Sequence, residues 1–309
     1  MKELSYAIAL STRLLAGCSQ EDGIMESKGE LVTLNYNISL TDGVQSRAGE
    51  GVDHGVNKLL CMVFEKDSTE VLKRQVVDFD NEGKAQYTPV LFKNIKYRIV
   101  FWAYHKNGND SCYNVTNKAI VTTNEKYDME CFANDLHKNA YSAYDDVQII
   151  DNAMSIKVIL TRPFGQINVY TTEQDWKNAL GLQSIPSSSS LTLSGFSTQF
   201  NALNQEWVDE GCEAFELNST VSYENNYCLA SEYVFANGNG NCQIKVKDQN
   251  PNPKEIYNYT VSNFPIGKNQ RTNIKPADGS VGLMTGNVSY IIEISNGFDT
   301  NNENNKTIN

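Results

Sequence analysis

From Val32 to Leu40 the side chains alternate strictly. Val32, Leu34, Tyr36, Ile38 and Leu40 are apolar, and Thr33, Asn35, Asn37 and Ser39 between them are polar. A period of two gathers every apolar group on one face of an extended chain; on a helix the same residues would scatter around the axis. The segment therefore predicts a half-buried strand, of about nine residues. Val288, Tyr290, Ile292 and Ile294 repeat the pattern near the C-terminus. Between the two lie Leu59 to Glu65, Val71 to Phe79, Tyr97 to Tyr104, Ala119 to Thr123, Met154 to Leu160, Gln166 to Thr171, Tyr227 to Phe235, Gln243 to Val246 and Tyr257 to Val261. Turn chemistry separates them, at Asp80-Asn81-Glu82-Gly83, Lys106-Asn107-Gly108-Asn109, Asn237-Gly238-Asn239-Gly240 and Asp278-Gly279. Many short strands at this spacing predict an all-β chain made of β-sandwiches.

Helix signals are few. Thr172 can cap Glu173 to Leu180, with Trp176, Ala179 and Leu180 on one face and Gly181 as the stop; Met129, Phe132, Ala133 and Leu136 also keep helical spacing. Both read as short connections over the sheets. A chain of 309 residues is too long for one small core and suits two domains of ordinary size. The break falls near Thr161 to Gly165, where Pro163 interrupts two apolar strands. This reading places an N-terminal sandwich at residues 30–162, a C-terminal one at 163–297, and a polar, asparagine-rich tail at 298–309.

The net charge of −11 argues against nucleic acid as a partner and against binding anionic lipid by charge. The three histidines, His54, His105 and His137, lie far apart beside loop-like residues, and no nucleophile-elbow, zincin, Walker or Rossmann pattern is present. The expectation is a protein without catalytic residues, metal or cofactor. Asp78 to Gly83 starts like a calcium loop, but Pro89 stands where the bidentate glutamate is needed, so a tight turn is expected there. Cys61, inside the apolar run Leu59 to Phe64, reads as a small buried hydrophobe. Cys212, Cys228 and Cys242 are the better disulfide candidates, with a pairing that the sequence does not reveal.

At the N-terminus, Leu15-Ala16-Gly17-Cys18 closes a short apolar run and resembles the lipobox of bacterial lipoproteins, although Glu3 and Arg13 depart from the pattern. The resemblance implies that residues 1–17 are a signal peptide, that Cys18 is the lipidated residue, and that the lipid ties the protein to the outer membrane. The polar run 18–29 then reads as a flexible tether. Its acidic Glu21 and Asp22 resemble the surface-export signal of Bacteroidota lipoproteins.

The stretch Ile159-Leu160-Thr161-Arg162-Pro163-Phe164-Gly165-Gln166-Ile167-Asn168-Val169 is similar to the start of the second domain in fimbrillin-like proteins of the Bacteroidales, the type V pilins and their relatives. Tyr97 to Ala103 resembles that family's central first-domain strand. Phe200-Asn201 and the segment Asn263-Phe264-Pro265-Ile266-Gly267-Lys268-Asn269-Gln270-Arg271-Thr272-Asn273-Ile274 resemble two second-domain stretches. The resemblance spans about residues 30 to 295. It implies two tandem transthyretin-like sandwiches in a surface fimbrial subunit (pilin, tip or anchor) whose partners are other subunits joined by a donor strand. It also implies processing by an arginine-specific protease beyond the first strand. Arg47, followed by Ala48, stands at that place, in a Gly/Asp/Ser-rich stretch from Thr41 to Gly55. The other reading is a non-polymerising surface lipoprotein that binds a glycan or another host or bacterial surface ligand. For that reading Trp207 is the candidate contact, since Trp102 and Trp176 sit in patterns that point to a core.

Overall fold

The computed structural model describes residues 29–40, 55–107, 111–123, 138–150, 153–170, 188–194, 196–197, 199–208, 215–220, 228–235, 238–248, 254–276 and 290–296. Among these there is no α-helix, and the expected helical connections at residues 129–136 and 173–180 lie outside them. The all-β expectation is met. The strands of the first half are β1 (Leu31–Leu40), β2 (Lys58–Glu65), β3 (Val71–Asp78), β4 (Lys84–Tyr87), β5 (Val90–Phe92), β6 (Lys96–Tyr104), β7 (Tyr113–Val115), β8 (Ile120–Thr123), β9 (Ala140–Gln148) and β10 (Ala153–Leu160). Those of the second half are β11 (Gly165–Tyr170), β12 (Ser188–Ser194), β13 (Gln199–Asn201), β14 (Glu206–Trp207), β15 (Phe215–Thr220), β16 (Cys228–Val234), β17 (Gly238–Asp248), β18 (Lys254–Ile266), β19 (Gln270–Pro276) and β20 (Tyr290–Asn296).

Two sheets of the first half form a sandwich. One has the order β10-β1-β4, with β5 also paired to β1; the other has the order β3-β2-β6-β9. Val32, Leu34, Tyr36, Ile38 and Leu40 of β1 face Leu59, Cys61 and Val63 of β2 and Tyr97, Ile99, Phe101 and Ala103 of β6 in one buried cluster. The opposite face of the β2–β6 sheet is also covered. Leu60, Met62, Phe64, Val100 and Trp102 pack there with Val121, Phe164, Phe200 and Phe235. Burial on both faces explains why β2 and β6 read as nearly continuous apolar runs and β1 as an alternation. Cys61 is buried and unbonded, and burial pushes its thiol well above the usual range.

The Thr161 to Gly165 stretch lies between β10 and β11, which belong to different sheets; a further sheet, β14-β13-β8-β7, takes strands from both sides of it. Arg162 is buried there. It donates from Nε to Asn139 Oδ1 at 2.9 Å and from Nη2 to Tyr141 Oη at 2.6 Å, with its guanidinium over the Tyr141 ring. Burial lowers its affinity for the proton and, as the first cause, pushes the Tyr141 hydroxyl up to about 12. Two stretches singled out in the sequence meet nearby. A Cβ at Gly165 would lie 2.6 Å from Ile266 Cγ1 and 2.7 Å from the Gly267 carbonyl, and Asn269 N–H donates to the Phe164 carbonyl at 2.9 Å. Only glycine permits that approach.

The second half contains the sheets β16-β11-β19-β20 and β15-β12-β17-β18. Asn237 to Gly240 was expected to be a turn, but Gly238 opens β17 and pairs with Ile266 of β18. Pairing with β18 holds both glycines in the strand, Gly238 with a φ of 148° that a side chain would rarely adopt, and overrides their preference for turns. At Asp80 to Gly83 a turn is what forms: Asp80 Oδ1 accepts from the N–H groups of Glu82 and Lys84, and Gly83 adopts a φ of 69°.

Candidate functional site

β1 is the segment that the sequence isolates most sharply, and the fold gives it an unusual setting. It runs parallel to β10, from Thr33 opposite Ala153 to Leu40 opposite Leu160. On its other side it pairs antiparallel with β4, from Tyr36 opposite Tyr87 to Ser39 opposite Lys84, and with β5, from Leu31 opposite Phe92 to Thr33 opposite Val90. Ladder hydrogen bonds therefore flank it on both edges. If β1 left, the remaining structure would present a slot bounded by β10 on one side and β4 and β5 on the other, with unpaired backbone donors and acceptors along both walls.

The floor of that slot is mostly apolar, lined by Leu59, Cys61 and Val63 of β2 and Tyr97, Ile99, Phe101 and Ala103 of β6, and the side chains of β1 fill it. Val32, Leu34, Tyr36, Ile38 and Leu40 are between 0% and 5% exposed. At about 1.5 to 3 kcal/mol for each buried side chain, emptying the slot costs on the order of 10 kcal/mol. The outward positions Thr33, Asn35 and Asn37 are exposed, so the grip on β1 comes from its ladders and one face. One polar contact crosses the core. Tyr36 Oη donates to Asp145 Oδ2 of β9 at 2.8 Å, and the Tyr36 ring lies 5.3 Å from that of Phe101. Burial first, then the Asp145 charge and this hydrogen bond, push the Tyr36 hydroxyl far above its ordinary range. Asp145 escaped the sequence reading because Asp145-Asp146 breaks the apolar pattern of β9. Its signal was the register Tyr141, Ala143, Asp145, Val147, a single inward face.

The other sequence candidates are placed as follows. Cys18, Arg47 and Ala48 lie outside the described residues. Trp207, the candidate ligand contact, is half-buried. The β13–β14 pairing sets Trp207 opposite Phe200, their rings 6.2 Å apart, and the indole Nε1–H has no partner among the described residues. A two-strand turn against a buried aromatic draws the indole inward. Trp102 is fully buried, as its pattern indicated. A separate open cleft of about 250 Å³ lies beside β3 and β7, where Arg74, Tyr104, Lys106 and Asn114 line it. Arg74 is fixed there by the Val115 carbonyl at 3.0 Å and Asn117 Oδ1 at 3.1 Å. Among the described residues no group of histidine, cysteine, aspartate or glutamate side chains is arranged to hold a metal.

This geometry defines an all-β sandwich protein whose strand β1 is paired on both edges within its first sheet. The chain belongs to a family of unknown function, DUF6562, whose profile matches residues 26–309. No curated protein sequence matches it. Among solved structures it is similar to a protein of Parabacteroides distasonis ATCC 8503 provisionally assigned to cell adhesion, with a TM-score of 0.51, 12% identity, and 86% of this chain and 97% of the other covered. It is similar to proteins of Bacteroides thetaiotaomicron VPI-5482 provisionally assigned to polysaccharide binding, with a TM-score of 0.52, 9% identity, and coverage of 86% and 96%. It is also similar to the fimbrial anchor protein Mfa2 of Porphyromonas gingivalis, with a TM-score of 0.50, 11% identity, and coverage of 85% and 98%. At these identities the shared property is the fold. The neighbours include Bacteroidales proteins provisionally assigned to cell adhesion and a Porphyromonas fimbrial protein, the grouping that the sequence motifs resemble.

Proposed function

We propose that this protein is a structural or adhesive subunit of a cell-surface fimbrium, held at the outer membrane by lipid on Cys18 and joined to other subunits by strand exchange at the β1 slot. The observation that carries the reading is the setting of β1: N-terminal, followed by a Gly/Asp/Ser-rich stretch, paired on both edges, and inserted by one apolar face. Such a strand can be replaced by another of the same period, because the slot recognises backbone and alternate side chains. Cleavage between Arg47 and Ala48 would cut its covalent tie. The fold shared with Mfa2 supports a fimbrial role.

The N-terminal residue of the protein recovered from cells tests this. A free Ala48 is the result expected of an assembled subunit, and a lipid-blocked Cys18 that of an anchor. Fatty-acid labelling that persists in Cys18→Ala would defeat the lipid assignment. A cut chain that loses the β1 peptide and stays a folded monomer would defeat strand exchange.

A second reading, a surface lipoprotein that binds a glycan, draws on the open cleft with Arg74 and Lys106 and on the fold shared with the Bacteroides thetaiotaomicron proteins. A glycan array on the ectodomain decides it, since binding there has to disappear in Arg74→Ala.

A further inference from the structure

Resting on the strand-exchange reading, we infer that Asp145 is a specificity-determining residue of the slot, selecting strands that carry tyrosine at the position of Tyr36. The inward residues of β1 fill the slot by shape alone except at Tyr36, whose hydroxyl reaches Asp145 Oδ2 at 2.8 Å across the sandwich. Asp145 stands opposite Ile99 in the β6–β9 ladder, on the face that looks toward β1, and is half-buried. A strand with leucine or phenylalanine in the Tyr36 place would cover this carboxylate and give it no donor, and one with aspartate or glutamate would set two negative charges together. Either fault costs more than a lost apolar contact, because the inward side of this half-buried carboxylate would then have no hydrogen-bond donor. The hydroxyl also fixes register. Sliding the strand by two residues keeps its apolar face inward and preserves the ladders, but moves the tyrosine away from Asp145.

The chain itself holds a second strand that meets this requirement. Aligned on tyrosine, Leu34, Tyr36, Ile38 and Leu40 correspond to Val288, Tyr290, Ile292 and Ile294, each with one residue between. β20 begins at Tyr290 and is the end strand of its sheet, paired to β19 alone among the described residues, from Tyr290 opposite Pro276 to Asn296 opposite Gln270. The partner chemistry is therefore an alternating apolar strand with tyrosine at its second apolar position, when counted from Leu34 or Val288. The C-terminal strand of a second copy satisfies it.

The test uses the full chain cut after Arg47 and separated from its residues 1–47, with fluorescent peptides of residues 31–40 and 288–296, each with its tyrosine or with Tyr36→Phe or Tyr290→Phe. Both tyrosine peptides are expected to be retained at least about tenfold more tightly than their phenylalanine forms, the factor for one hydrogen bond to a charged acceptor. In Asp145→Ala the preference is expected to vanish. Asp145→Asn, which keeps the shape and an acceptor oxygen, serves if the alanine variant does not fold, and there the preference is expected to shrink. Equal retention of tyrosine and phenylalanine peptides would overturn the inference and leave strand exchange standing. Entry of the 31–40 peptide without the 288–296 peptide would remove β20 as the matching strand. Exclusion of all four peptides would defeat the strand-exchange reading itself, and the selection with it.

Discussion

β1 and β6 are both interior strands with ladders on both edges, yet they are held in different ways. β6 lies between β2 and β9 and buries both faces, with Ile99, Phe101 and Ala103 toward the β1 sheet and Val100 and Trp102 toward the second cluster. β1 buries one face and leaves Thr33, Asn35 and Asn37 in water. Both strands carry ladders on both edges along most of their length, so the presence of edge pairing does not separate them. The number of covered faces does. A strand covered twice is part of the frame, and its loss takes two cores with it. A strand covered once can leave or be replaced without disturbing the second core.

The largest effect that sharpens this comparison is expected at Trp102. Trp102→Ala should lower unfolding free energy by about 3 to 5 kcal/mol, the range for a large aromatic removed from a core, and should leave the rate of β1 release from the cut chain unchanged. Chemical denaturation and peptide release measure the two. A faster release would mean that the second core supports β1, and would break the distinction. Leu34→Ala comes next. It should cost roughly 3 kcal/mol in the intact chain and, unlike the tryptophan change, speed β1 release in the cut chain by a comparable factor.

Tyr36→Phe is smaller, about 1.5 to 3 kcal/mol for a hydrogen bond to a charged group. Its pH signature follows from the raised folded-state pKa of Tyr36. That contribution is complete below the ordinary tyrosine value and declines as pH rises above it, because the unfolded chain ionises first. Denaturation at pH 7 and at alkaline pH should show the stability gap between the unaltered chain and the Tyr36→Phe variant narrowing at the alkaline end. The smallest effect concerns the frame. Hydrogen bonding from Arg98 is the first cause that lowers the Asp146 carboxyl from 3.8 to about 2, with Lys66 adding to it. Because the folded-state value is depressed, this contribution is complete above about pH 4 and is lost as pH falls toward 2. Asp146→Asn should flatten the acid limb of the stability curve slightly, as fits a partly exposed pair.

The strands whose alternation or apolar run is clearest, β1, β2, β6 and β10, were legible in the sequence because one or two covered faces write themselves directly into residue order. β9 was not, since Asp145 and Asp146 sit in its middle and are held there by partners far away in the chain, Tyr36 and Arg98. β12, Ser-Ser-Ser-Leu-Thr-Leu-Ser, was hidden by its serines; the ladders to β15 and β17 specify it. The slot itself was half legible. Its apolar lining shows in β1, whereas parallel pairing with β10 leaves no local mark, because register between distant strands is a property of the assembled sheet.

That parallel pairing also sets a clock. Leu34 pairs with Met154, 120 positions later. At roughly 5 to 20 residues per second, a growing chain exposes β1 for something like ten seconds before its parallel neighbour exists. Contacts so far apart form slowly, since a long loop has to close before they stabilise anything. The first strand to be synthesised is thus among the last to be seated. For that interval an alternating strand and the empty place awaiting it are both present on every nascent molecule, and crowding favours meetings between neighbours. Export in an extended state, as the resemblance of the N-terminus to a lipoprotein signal implies, would remove that hazard by making both sides of the pairing available at once.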